Sequence, residues 1–202
     1  MYLIVVYSEK GGVGKTSLSH SIAFGAGVVE GPEFGVIFGH TDRREPVMDT
    51  SRPYEMIDMR DPQDGYEILQ KAVSSEDEGL FLIDTGANLK DYSKILLEAA
   101  DLILVPVVDD FDSVRMAVEA GSYHPEKTAF IVNRAPSKYA SEYQDFEKEV
   151  LNEFKDKPTL LYPQIRAIKS LIKPEPLSSK SRSRLRPHSV KLWVEVKGIF
   201  SD

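Results

Sequence analysis

The chain has 202 residues, 42% of them hydrophobic and 28% charged, with a net charge of −7 and no cysteine. That length suits one domain with a sizeable core. The missing cysteines exclude disulfides, thiolate zinc sites and cysteine-ligated iron–sulfur clusters, and no apolar run approaches the roughly 20 residues that cross a bilayer. Met1 leads straight into a strand pattern, so no secretory leader is expected and the location read from the sequence is cytoplasmic.

Tyr2 to Tyr7 is an apolar run of the kind that forms a buried parallel strand. It delivers Glu9-Lys10-Gly11-Gly12-Val13-Gly14-Lys15-Thr16-Ser17, which fits the phosphate-loop pattern G-x-x-x-x-G-K-[ST] except that Glu9 stands at the first glycine and Lys10 is an additional lysine. Glycines let backbone N–H groups wrap phosphates at a helix N-terminus. Gly11 to Ser17 are therefore the expected nucleotide-binding residues, with Lys15 reaching the β- and γ-phosphates and the Thr16 hydroxyl meeting Mg2+. Leu18, Ile22 and Phe24 open an amphipathic helix, and Gly25 to Phe34 reads as a glycine-containing connection.

Gly35 to Gly39 reads as a second strand, delivering His40-Thr41-Asp42-Arg43-Arg44-Glu45-Pro46 to its carboxyl end, where α/β sheets place their sites. Asp42 is a candidate site carboxylate, and an aspartate there serves equally well in a turn or as a helix cap. A strand over Tyr54 to Met59 and a helix from about Pro62 to Ser74 follow. Gly79 to Asp84 is an apolar strand ending in a carboxylate, the arrangement that supports Mg2+ beside a phosphate loop, so Asp84 joins Thr16 as a metal candidate. Further strands are read over Ala99 to Val107, Thr128 to Arg134 and from Thr159, with helices beginning at Asp109 and running from about Ala140 to Phe154. After Asn133 the guanine-reading Asn/Thr-Lys-x-Asp signature is absent, so adenine is the expected base.

Between Lys169 and Lys191 there are seven basic residues against one acid, Glu175, in a chain that is acidic as a whole. Such asymmetry favours a local polyanion-binding surface, with Lys173, Lys180, Arg182, Arg184, Arg186 and Lys191 as candidate DNA contacts. The Pro, Ser and Arg content of 173–187 reads as a loop, followed by a helix from about His188 to Phe200.

At Lys10 to Thr16 the sequence resembles the deviant Walker A ATPases of the ParA/MinD superfamily, with further likeness at Ala99-Ala100-Asp101 to Pro106-Val107. The resemblance implies an α/β P-loop fold, a mainly parallel twisted sheet flanked by helices, spanning 1–202 as one ATPase domain. It also implies slow, partner-stimulated hydrolysis of ATP with Mg2+. Two ATP-bound subunits would form a sandwich homodimer in which Lys10 reaches the partner's nucleotide. Asp42 would take the place of the second aspartate of the family's D-x-D-P-Q loop, which positions water, while His40 replaces the first. Asn133 would read adenine. The branch it resembles most is a small partition ATPase that coats nonspecific DNA and is stimulated by a ParB-like centromere-binding protein; a conjugation accessory role is biochemically close to it. A MinD-like membrane ATPase using Ser189 to Lys197 is one alternative, although Leu192, Trp193, Val194 and Val196 spread round a helical wheel as in a core-packed helix. A ligase of the dethiobiotin-synthetase kind is another.

Overall fold

Short apolar runs separated by helical patterns dictate parallel strands with crossover helices. The computed structural model, which describes residues 1–42, 51–86, 90–163, 168, 170–173 and 175–201, gathers those runs into one seven-stranded sheet. The strands are β1 (Tyr2–Val6), β2 (Gly35–His40), β3 (Glu55–Asp58), β4 (Gly79–Asp84), β5 (Leu102–Val107), β6 (Thr128–Asn133) and β7 (Thr159–Tyr162). Their spatial order is β3-β2-β4-β1-β5-β6-β7, and each neighbouring pair is parallel. The helices are α1 (Lys15–Val29), α2 (Pro62–Val73), α3 (Lys90–Ala99), α4 (Phe111–Gly121), α5 (Tyr143–Glu149) and α6 (Ser179–Ser201).

Both faces of the sheet are covered, so β4, β5 and β6 are buried along their whole length and carry no polar alternation. Ile4 and Val6 point into a core shared with Leu18 and Ile22 of α1 and Leu192, Trp193 and Val196 of α6. Leu3 and Val5 point the other way, toward Leu69, Leu96, Ala117 and Phe146 of α2, α3, α4 and α5. The chain leaves β1 for β2 on one side and later builds β5 to β7 on the other. The carboxyl end of β1 therefore lies at a topological switch point, where α/β sheets place ligands.

Four boundaries differ from the sequence reading, the first being β5: it begins at Leu102, and Ala99, expected in that strand, instead ends α3. Helix α1 continues through Gly25 and Gly27 to Val29 instead of ending in a glycine connection. Those glycines serve close approach: a Cβ on Gly25 would collide with the Ser189 carbonyl of α6, and one on Gly27 with the Pro53 carbonyl. Helix α6 begins at Ser179, so the basic stretch expected as loop is helical from there and contains Pro187. Ser178 starts it, its hydroxyl accepting from Ser181 N at 3.1 Å, and the buried Leu185 anchors it. The expected helix over 140–154 is a short α5 followed by a 3-10 turn at Leu151–Phe154. The expected loop residues Arg43 and Arg44 lie outside the described residues.

Candidate functional site

The site is built where β1 gives way to α1. Gly12 and Gly14 hold φ of 80° and 96°, left-handed values that favour glycine, and Gly14 is the N-cap of α1. A side chain on Gly11 or Gly12 would meet nothing within 4 Å, so the space in front of the loop is open to a ligand. Val13 is buried behind it, and Thr16 and Ser17 lie in the first turn of α1. Asn133, at the end of β6, donates its amide Nδ2 to the Val13 carbonyl at 2.9 Å and packs so tightly on Gly14 that any side chain there would strike it. The residue expected to read a base thus also props the loop.

Lys15 folds back over the loop, donating to the carbonyls of Ser8 at 3.0 Å and Lys10 at 3.3 Å. Burial pushes its pKa down, opposed by the charges of Asp84 and Asp42. Among the described residues these neutral carbonyls are the direct partners of the ammonium group, which leaves its charge for a phosphate. Asp84 is fully buried at the end of β4, in register with Val6 on one side and His40 on the other. Ser19 Oγ donates a long 3.4 Å bond to Asp84 Oδ1, while Oδ2 has no hydrogen-bond partner among the described residues. Desolvation raises its pKa to about 6, against the pull of the Thr16 hydroxyl, His40 and Lys15.

A buried carboxylate oxygen without a donor, beside a threonine hydroxyl and a lysine, fits a hydrated divalent cation. Among the described residues no group of three or more His, Asp or Glu could hold a metal by itself, so a cation here needs phosphate oxygens for much of its shell. His40 Nδ1 stands 3.9 Å from Asp84 Oδ2, so the β2 residue in register with Asp84 is an imidazole and not a carboxylate that would repel it. Asp42 is half-buried, close enough to be felt by Lys15 and Asp84.

Lys10 extends from the rim of the loop to form an ion pair with Asp110 Oδ1. Asp110 is also the N-cap of α4, accepting from Ser113 N at 2.9 Å, and both contacts hold its pKa down, that of Lys10 most. The sequence reading missed Asp110, and nothing but its position after the β5 run marks it. It also missed Ser8 and Ser19, which bond the two lysine segments and Asp84. Thr41 was missed too; its hydroxyl donates to the Asp84 carbonyl at 3.1 Å and accepts from Gly86 N at 2.8 Å. Arg134, at φ 64°, reaches the Gly12 carbonyl at 3.4 Å and adds a further cation over the loop.

The six basic candidates are divided by α6 and the segment before it. Lys180, Arg184 and Lys191 are exposed at spacings of four and seven residues, one stripe of the helix, and Lys173 is exposed upstream. Arg182 and Arg186 instead flank a cleft between α6, α1 and Ser51 to Pro53. The structure does not bring these six residues together with the phosphate loop.

No family model and no curated protein matches the sequence. Solved structures match by shape. MinD complexed with Mg-ADP from Pyrococcus horikoshii gives a TM-score of 0.69 at 16% identity, covering 98% of each chain. A ParA family ATPase from Chlorobium tepidum gives 0.67 at 17%, covering 96% of this chain and 97% of that one. A plasmid partition protein from Borrelia burgdorferi bound to AMPPNP gives 0.63 at 11%, covering 96% and 98%. Over nearly its whole length, the chain has the P-loop fold of the MinD and ParA ATPases: a parallel seven-stranded sheet flanked by helices.

Proposed function

We propose that this chain is an Mg2+-dependent ATPase that works as a nucleotide-gated dimer on nonspecific DNA, in the manner of a partition ATPase. The observation that carries the hydrolase reading is the buried Asp84 oxygen, without a hydrogen-bond partner among the described residues, near Thr16 and Lys15 at an open glycine loop. The Mg-ADP and AMPPNP of the fold relatives support the nucleotide and the metal.

In this reading the loop amides from Gly11 to Ser17 cradle the phosphates, and Lys15 leaves the carbonyls of Ser8 and Lys10 to neutralise them. Thr16 and Asp84 would hold Mg2+, which would supply charge neutralisation at the phosphates when bound. Asp42 orients the attacking water from the end of β2. The Asn133 side-chain oxygen accepts from the amino group of adenine while its nitrogen keeps the loop in place. Lys10 exchanges Asp110 for the nucleotide of a second subunit, so dimerisation and release of that ion pair are one event.

The exposed stripe Lys180, Arg184 and Lys191, with Lys173, supports the DNA branch, because backbone contacts need cations and no base-reading groups. A membrane-binding C-terminal helix fits less well, since Leu192, Trp193 and Val196 are already buried against α1 and the sheet. Among the described residues no helix is long and apolar enough to cross a membrane.

Two variants test the reading. Lys15→Ala, checked for folding by circular dichroism, should lose ATP binding in equilibrium titration by a hundredfold or more, at roughly 1.5–3 kcal/mol per charged hydrogen bond removed; near-normal affinity would overturn the nucleotide site. Lys10→Ala should still bind ATP but no longer sediment as an ATP-dependent dimer. Dimerisation equal to that of the parent chain would remove the proposed role across the interface.

A further inference from the structure

Asn133 ends β6, and in an extended strand the next side chain points to the opposite face. Here both reach the same loop. Asn133 Nδ2 donates to the Val13 carbonyl at 2.9 Å, and Arg134 Nη2 donates to the neighbouring Gly12 carbonyl at 3.4 Å. The alternation is broken at Arg134 itself, which holds φ 64° and is the one non-glycine residue with a positive φ among the described residues. Its flanks fix that turn: Asn133 is in register with Tyr162 of β7, and Ala135 N donates to the Tyr162 carbonyl at 3.1 Å.

A left-handed backbone strains an arginine, and glycine or asparagine would suit the position better. Packing does not offset the strain, because Arg134 is exposed. Nor does its hydrogen bond, which at 3.4 Å is long and engages one of several N–H donors. Strain kept without a local compensation is a feature of positions that meet a ligand. Charge points the same way. Of the cations around the loop, Lys10 is paired with Asp110, and Lys15 lies within reach of the Asp84 and Asp42 charges. Arg134 forms no ion pair among the described residues, so its charge and most of its donors are left for an anion in front of the loop.

We propose that Arg134 contacts the nucleotide: on binding, its guanidinium leaves the Gly12 carbonyl for the phosphate chain. This role rests on the nucleotide reading of the loop and adds a contact which that reading does not use. The left-handed turn then has a purpose. It brings a neutral amide and a fixed positive charge, adjacent in sequence, to the same side of the loop, the first to hold the loop and the second to neutralise what the loop holds.

The experiment titrates AMPPNP with Mg2+, and separately tripolyphosphate with Mg2+, into the parent chain and into Arg134→Gln, Arg134→Lys and Arg134→Gly. Glutamine keeps an N–H donor for the Gly12 carbonyl but no charge, whereas lysine keeps the charge. Arg134→Gln should weaken both probes by about tenfold, as loss of a charged hydrogen bond does, and Arg134→Lys should recover most of that affinity. Arg134→Gly should weaken both probes as much as Arg134→Gln while unfolding at a higher urea concentration than the parent, because glycine relieves the backbone. Parent-like affinity in Arg134→Gln would overturn the proposal and leave Arg134 as a prop for the loop. So would weakened AMPPNP binding with tripolyphosphate binding unchanged, because the guanidinium would then lie on the base. If the parent chain binds neither probe, the phosphate site itself fails and the role of Arg134 falls with it.

Discussion

His20 shows how one residue sets the pH range of the fold. It is buried in α1, stacked on Phe38 at 4.3 Å between ring centres, with Nδ1 2.8 Å from the Tyr54 hydroxyl. Burial pushes its pKa down from 6.5 to about 3, helped by the positive charges of Arg52 and His40. The unfolded chain therefore takes up a proton near pH 6.5 that the folded chain refuses until about pH 3, and the stability this imidazole contributes is full above that window and falls as pH drops through it. Between pH 7 and pH 5 this group should cost the protein roughly 2 kcal/mol, at about 1.4 kcal/mol per pH unit below the unfolded value. His20→Gln keeps a partner for Tyr54 without the titration. Its urea-unfolding free energy should fall by roughly 2 kcal/mol less than that of the parent chain over the same pH interval, and equal falls would contradict the buried neutral imidazole. At this scale the placement of Lys15, Thr16 and Asp84 at one end of the sheet was legible, because they belong to a spaced pattern. Asp110 and Arg134 were not, because their partners Lys10 and Gly12 are distant in sequence and no local pattern links them.

Among the elements, the parallel sense of each strand followed from its apolar run and crossover helix, whereas the limits of α1 and α6 did not. Glycine and proline are helix breakers only by average propensity, and tertiary packing overrides that average here. Gly25 sits where α1 meets the Ser189 backbone of α6, and Glu30 at the end of α1 accepts from Trp193 Nε1 at 2.7 Å and from Lys197 at 2.9 Å. The two helices are thus bound along their length, and the helix penalty of a glycine is outweighed by the close approach it permits. Gly25→Ala should destabilise the fold by about 1–3 kcal/mol, through displacement of a backbone carbonyl that cannot rotate away, despite the better helix propensity of alanine. Thermal or chemical unfolding checks this, and a stabilised variant would show that the α1–α6 packing can relax. Pro187 was misread for the same reason: its ring lies on the exposed side of α6, where one missing backbone bond is tolerated while Leu185, Ser189 and Leu192 hold the buried side.

For the whole molecule, the proposed coupling of nucleotide state to DNA rests on the arrangement of charge. The basic residues that the composition grouped together are separated by the helix into an exposed stripe, Lys180, Arg184 and Lys191, and a cleft pair, Arg182 and Arg186. A stripe on one chain can engage few phosphates and binds weakly at physiological salt. A two-fold dimer presents the stripe twice, so dimerisation alone multiplies affinity without remodelling either copy. The salt dependence measures the number of phosphates neutralised, since log K falls by about 0.9 per phosphate for each log unit of salt. Replacing Lys180, Arg184 and Lys191 by alanine should flatten that slope by about 0.9 for each phosphate no longer neutralised, and weaken unrelated duplexes to the same extent. ATP hydrolysis without DNA should continue, because none of the three belongs to the phosphate loop. Arg186→Ala, facing the cleft, should leave the slope as it was. The measurement is a salt titration of duplex binding in the presence of AMPPNP and Mg2+. An unaltered slope in the stripe variant, or a flattened one in Arg186→Ala, would show that DNA engages a different face of α6 from the one its exposure indicates.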